Sequence, residues 1–343
     1  MITNKSYKIP FLILAILLLL LFLVNVSLGS ISIPLKTIIN SFFTTAENYT
    51  NQEYIIQNYR LPKAFTAILV GSGLGISGLL MQTLFRNPLA GPFVLGITSG
   101  ASLGVALVIM GSSIFGGLLA TFLISKWSIV IAASLGSFLV LLTVLIVSSR
   151  VRDTMAILII GLMFGSITAA VVSVLSYFSS AEELQQYIFW GFGSLGDLQW
   201  NELKVFTIIY CIGILFSIAS IKALNTLLLG ENYAKSLGLK LKQSRLLIII
   251  ATSLLAGTIT AFTGPIAFIG LAVPHLTRQI FNTSNHKILL PAVFLFGAII
   301  MLICDSIAQL PSTDYTLPIN AITSLIGAPV VIWLLVRKKK MIF

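Results

Sequence analysis

Few side chains in this 343-residue chain are of types that could do chemistry, and their spacing suits none of it well. Gly73, Gly75 and Gly78 form a literal GxGxxG, the spacing that cradles a dinucleotide pyrophosphate when it links a strand to a helix. No strand pattern precedes these glycines, no acid follows at the required distance, and they sit in an uncharged apolar run from Ala64 to Leu84. The nucleotide reading therefore fails on context. His275 and His286 have no second histidine or carboxylate at metal-ligand spacing, and His275 reads as a structural histidine at a helix end. Cys211 and Cys304 lie within apolar stretches and read as buried thiols, not as a disulfide. Asp305 is the main ionisable exception inside an apolar run. GxxxxGK[ST], HExxH, CxxC and GxSxG are all missing. The expectation is a chain with no catalytic residue, no metal site and no cofactor of its own.

The elements that carry these residues are membrane helices. Hydrophobic residues make up 57% of the chain and charged residues 9%, and the mean hydropathy is +1.03, far from an ordinary soluble domain. The sequence predicts an all-α polytopic membrane protein with about ten transmembrane helices. They fall near residues 9–29, 63–84, 93–112, 127–148, 155–177, 203–221, 246–262, 266–280, 289–308 and 318–336. The segment 266–280 is short and broken by proline, so nine or eleven spans remain open. Lys5 and Lys8 before the first apolar run resemble a signal peptide, but the run is long and no small-x-small site follows, which favours a retained helix.

Charge sets the orientation. With the N-terminus in the cytoplasm, sixteen of the 21 basic residues fall in inner segments, among them Arg86, Arg150, Arg152, Lys235, Arg245 and the tail Arg337 to Lys340. The outer segments keep Lys36, Arg60, Lys63, Lys126 and Lys204. This bias predicts an even number of spans and both termini in the cytoplasm. The net charge of +11 then reflects membrane topology, with lipid and not nucleic acid as the partner.

Between the spans, three stretches stand out. Residues 182–197 form an amphipathic outer piece with Tyr187, Phe189 and Trp190, suited equally to headgroup anchoring and to binding. Residues 222–245 form the longest basic inner segment, and LLLGENYAKSLGLKL within it predicts two short helices broken at Gly230 and Gly238. Leu227, Leu228, Leu229, Tyr233 and Leu237 put apolar side chains there, which suggests docking of a soluble partner over a bare solvated loop. In residues 264–280, GPIAFIGLAVPHLTRQI, Gly264, Pro265, Gly270 and Pro274 predict a broken helix of the kind tolerated only against protein or a water-filled path.

Several motifs in order resemble the FecCD family of ABC-transporter permeases, the membrane subunits of type II importers for ferric siderophores, haem and cobalamin. They include Arg60-Leu61-Pro62-Lys63, Arg86-Asn87-Pro88-Leu89-Ala90, Gly230-Glu231, Leu237-Gly238, Phe268-Ile269-Gly270-Leu271, Pro274-His275, Asp305 and Gly327-Ala328-Pro329. The similarity covers Arg60 to the end. It implies a single permease domain over residues 1–343, an inverted relation between spans two to five and seven to ten, and a homodimer around one path. It also implies two ATP-binding-cassette ATPase subunits, which hold the ATP and magnesium, and a periplasmic or lipid-anchored substrate-binding protein. By the same resemblance Leu227, Leu228, Gly230, Glu231, Ala234, Leu237 and Gly238 couple to the ATPase, and Arg60 and Lys63 dock the binding protein. Lys63 stands where arginine is common, which keeps the charge but loses the planar fork. Gln309 stands where some members carry a basic residue. Thr154 and Met155 match the cytoplasmic gate, and Gly165, Ser166 and Ala169 belong to the expected path.

The resulting expectation is an inner-membrane permease subunit of an ATP-driven importer, with a ferric siderophore as cargo and haem or cobalamin as alternatives. Two other classes stay in play, an ion-coupled secondary transporter and a membrane-embedded enzyme. The scarcity of intramembrane charge speaks against both.

Overall fold

The computed structural model describes residues 7–29, 31, 33–43, 50–111, 125–150, 154–310, 313 and 315–336. Among the described residues it is helical without strands. In chain order the helices are α1 (Lys8–Ser27), α2 (Leu35–Ser41), α3 (Asn51–Ile55), α4 (Leu61–Leu84), α5 (Ile97–Ile109), α6 (Lys126–Arg150), α7 (Thr154–Phe178), α8 (Ala181–Phe192), α9 (Trp200–Ala219), α10 (Ile221–Leu227), α11 (Glu231–Ser236), α12 (Leu241–Thr263), α13 (Ile269–Phe281), α14 (His286–Ala308) and α15 (Ile319–Val336). Seven helical runs are long and apolar enough to cross a membrane. Three shorter helices, α5, α13 and α15, occupy the other segments read as spans. The chain is a multi-pass membrane protein with about ten spanning or part-spanning helices.

Two expectations need correction. The polar composition of residues 29–59, with Pro34, Asn48, Asn51 and Gln52, reads as an outer loop between the first two spans, but α2 forms there and α3 begins at Asn51. Thr50 and Glu53 close a capping box, in which the Thr50 amide donates to the Glu53 carboxylate at 2.9 Å. From α3 the chain passes through a π turn, Ile56–Arg60, straight into α4, making one helical run of 34 residues, Asn51–Leu84. Arg60 and Lys63 therefore lie inside a helix and not at its start. The wide turn has a local cause: Pro62 lacks an N–H and its ring crowds the preceding turn, and a π bulge relieves the clash.

The second correction is length. α5 has 13 residues because a 3-10 turn, Pro92–Leu95, and Gly96 use up the start of the predicted span. α13 also has 13 residues and follows an irregular stretch from Gly264 to Phe268. At 1.5 Å per residue each covers about 20 Å, short of the hydrocarbon thickness. The Ala267 amide in that stretch donates to Asn320 Oδ1 at 3.0 Å, so part of the broken backbone is satisfied by protein. The amphipathic piece forms as α8, with its own capping box from Ser180 and Glu183, and ends at Phe192.

The expected permease domain packs as two compact units, and these are not the two sequence halves. The first comprises Met1–Ile76, Leu195–Thr207 and Ala267–Phe343, and the second Ser77–Ser194 and Ile208–Ile266. In the first unit α4 crosses α14 backbone to backbone. A Cβ added to Gly71 would strike the Gly297 carbonyl oxygen, and one added to Gly297 would strike that of Gly71. One turn on, Gly75 faces Val293 of α14 and Val273 of α13. This is the smooth glycine face legible in the sequence, used as small residues are used in lipid, to let helices approach closely. Leu14 of α1, Phe281, Ala292 and Ile299 form an apolar cluster beside it, with Phe11 against Phe281 at 4.9 Å. In the second unit Gly100 of α5 meets Gly136 of α6 in the same way, and Ala101, Val105, Ile109, Val130, Ala133 and Ala261 build the core around α5, α6 and α12.

Candidate functional site

At one end of the first unit three helices converge on a buried carboxylate. Asp305, in the last turn of α14, is nearly inaccessible. Its Oδ1 faces Lys63 Nζ of α4 at 3.1 Å, and its Oδ2 accepts from Asn25 Nδ2 of α1 at 2.9 Å and from Gln309 Nε2 at 2.8 Å. Asn25 Nδ2 also lies 3.1 Å from Ser306 Oγ. A buried charge is tolerable when paired and hydrogen-bonded, and here both carboxylate oxygens are.

Beside it, Arg60 Nη1 donates to the Val26 and Ser27 carbonyls at 2.8 Å each, and Nη2 to Ile31. A helix leaves its last carbonyls without intrahelical partners, and a cation there satisfies them and suits the dipole. Arg60→Gln is expected to lower stability by about 1.5–3 kcal/mol, the scale of hydrogen bonds from a charged donor, readable as a lower melting temperature in detergent. Both predicted docking residues are thus engaged by the chain itself. They border a pocket of about 240 Å³ with Asn25, Tyr59, Gly196 and Gln309.

In the second unit Gly165 and Ala169 of α7 line a groove of about 290 Å³ with Ser99 and Ser102 of α5, Thr168 and Tyr187. The Ser102 and Tyr187 hydroxyls are hydrogen-bonded, which ties α8 to α5. The wall carries hydroxyls and small residues but no charge. Ser166 does not line this groove; it is exposed, and its hydroxyl bonds back to Leu162 within the helix. Thr154 and Met155 open α7, and their side chains lie outside the described residues, as do Arg152 and the basic tail 337–340.

The segment 222–245 forms two short helices, α10 and α11, and then α12, with breaks at Gly230 (φ +98°) and Gly238 (φ +82°) as the sequence predicts. Both glycines hold backbone angles that other residues rarely adopt. Leu227 and Ala234 turn inward and are buried, so they shape the segment instead of facing a partner. Leu229, Tyr233 and Leu237 are 59%, 61% and 60% exposed and form its apolar outer face. Glu231 pairs with Arg245 of α12 at 2.6 Å. Among the described residues no group of three or more His, Cys, Asp or Glu could hold a metal ion.

Residues 17–337 match the FecCD transport family. The chain belongs to that family. As a FecCD permease it is 34% identical over 328 residues to the hemin transport system permease protein HmuU of Yersinia pestis, covering 95% of each chain. It is 36% identical over 288 residues to the vitamin B12 import system permease protein BtuC of Klebsiella pneumoniae, covering 84% of each. A solved metal-chelate type ABC transporter in an inward-facing conformation superposes with a TM-score of 0.81 at 32% identity, over 97% of this chain and 100% of that one. For this FecCD chain the sequence points to Arg60, Lys63 and Asp305, and to Tyr187 and Arg245 without their partners, but not to Asn25 or Ser102. Asn25 had a signal, since it is an amide in the last turn of an otherwise apolar helix. For Ser102 there was none.

Proposed function

We propose that this chain is the membrane-spanning subunit of an ATP-driven importer that carries an iron chelate, a ferric siderophore, across the bacterial inner membrane. It works as a homodimer with two ATP-binding-cassette subunits, which bind ATP and magnesium and perform the hydrolysis, and with a periplasmic or lipid-anchored substrate-binding protein. The observation that carries this reading is similarity along almost the whole chain, at about one-third identity, to permeases of metal-chelate, hemin and vitamin B12 transporters. Haem is the second reading, favoured by the 95% coverage of the hemin permease, and cobalamin the third.

In this reading the exposed face of Leu229, Tyr233 and Leu237 sits in the ATPase, on the cytoplasmic side where the basic residues concentrate. Both termini lie on that side. Thr154 and Met155 form the cytoplasmic gate at the start of α7. Gly165 and Ala169 line the path through the hydroxyl-lined groove, and Ser166 borders it from the exposed side of α7; the groove offers a passing chelate hydroxyls and small residues with no charge to hold it. Arg60 meets the binding protein, while Lys63 supports the docking end through its pair with Asp305.

Leu237→Glu tests the coupling assignment. A carboxylate on a desolvated apolar contact is expected to weaken ATPase association by about a hundredfold or more, with membrane insertion and the elution volume of the permease alone unchanged. Normal copurification of the ATPase with this variant would refute the docking face.

A further inference from the structure

Within the second unit, two kinds of link join α11 to the rest of the fold. One is the backbone, which passes through left-handed glycines on both sides of the helix, Gly230 and Gly238. The other is made of side chains. Ala234 is fully buried. Glu231, the first residue of α11, accepts a hydrogen bond from Arg245 Nη2 at 2.6 Å, and the Arg245 side chain keeps only 13% exposure. The Arg86 guanidinium stands close behind Gly230, where an added Cβ would lie 3.4 Å from its Nη1.

Arg245 lies one turn into α12, a helix of 23 residues, about 35 Å long at 1.5 Å per residue. At the other end of α12 the Thr263 carbonyl accepts from the Ser194 amide at 2.9 Å. Gly264 there packs so closely that a Cβ would lie 2.5 Å from the Trp190 carbonyl oxygen. Trp190 belongs to α8, the helix whose Tyr187 closes on Ser102 at the hydroxyl-lined groove. Of the links from α11 to α12, the backbone at Gly238 bends readily, whereas the short charge-assisted contact between Glu231 and Arg245 does not.

We propose that the Glu231–Arg245 ion pair is a strut that passes movement of segment 228–239 into α12 and along it to α8. Glu231 and Arg245 are then positioning residues for transport and not contacts of the ATPase. This rests on the assignment of that segment to ATPase docking.

The test uses the full permease assembled with its ATPase in lipid nanodiscs. An environment-sensitive fluorophore is placed on α8 at Phe189→Cys, a 58% exposed site, with Cys211→Ser and Cys304→Ala removing the other thiols. In the parent, magnesium-ATP changes the label signal. With Glu231→Gln the ATPase still copurifies and hydrolysis stays within about twofold, while the ATP-dependent signal falls by about tenfold, the scale of one lost charge-assisted hydrogen bond. Charge exchange, Glu231→Arg with Arg245→Glu, restores the signal. An unchanged signal in Glu231→Gln overturns the strut. Loss of the ATPase from both the single variant and the exchanged pair also overturns it, because the pair would then be a docking contact. The docking assignment fails separately, if Leu237→Glu retains the ATPase.

Discussion

Asp305→Ala is expected to destabilise the folded chain by about 3 kcal/mol, at the low end of the range for breaking a buried ion pair, because the Lys63 ammonium keeps partial access to water. The Lys63 side chain is 22% exposed and that of Asp305 only 3%, so the carboxylate is the member that cannot survive alone. Removing it strands Lys63 and takes the carboxylate acceptor from the Asn25 and Gln309 amides. The pair Lys63→Met with Asp305→Leu is expected to recover most of the loss, since well-packed apolar replacements remove the desolvation penalty along with the attraction. A double-mutant cycle on melting temperature in detergent reads the coupling directly. If Lys63 acted only as a docking contact, Lys63→Gln would weaken the binding protein with the melting temperature unchanged, and the pairing would carry no weight.

The second large effect is steric. Gly71→Ala is expected to cost about 1–3 kcal/mol by overpacking, and Gly71→Leu to prevent folding, because neither backbone at the α4–α14 crossing has room for a Cβ. Two helices would have to separate along their length to admit it. Gly191→Ala is the matched control. A Cβ there meets nothing within 4 Å, so this variant keeps its melting temperature or gains slightly from helix propensity. Expression and detergent melting of the three variants decide the point, and a Gly71→Leu chain as stable as the parent would mean the crossing is not as close as described.

These residues also mark what was legible in the sequence. The crossing could be read, because glycines one turn apart in an uncharged apolar run have few uses other than close helix packing. So could the breaks at Gly230 and Gly238 and the ten apolar segments, since each is a local signal of composition or backbone freedom. Local signal also existed for α3, in Thr50-x-x-Glu53, but the polar character of the surrounding segment masked it. The partners of the charged groups could not be read at all. Asn25 and Asp305 meet across 280 residues of sequence, and Ser102 and Tyr187 across 85. Side chains so far apart are brought together by helix packing, which no spacing rule encodes. For that reason nothing local in the sequence revealed that Arg60 also holds the end of α1 and that Lys63 pairs with Asp305 of α14.

In the proposed role the chain conducts a metal chelate on power supplied by another subunit. This role is tested most directly by cargo-stimulated ATP hydrolysis in liposomes that contain the permease, its ATPase and its binding protein, with a ferric siderophore, haem and cobalamin presented in turn. An iron chelate is expected to raise hydrolysis and enter the liposomes, and entry to persist when the proton gradient is dissipated. Failure of the permease to assemble with the ATPase, or uptake that collapses with the gradient while ATP is intact, would contradict it.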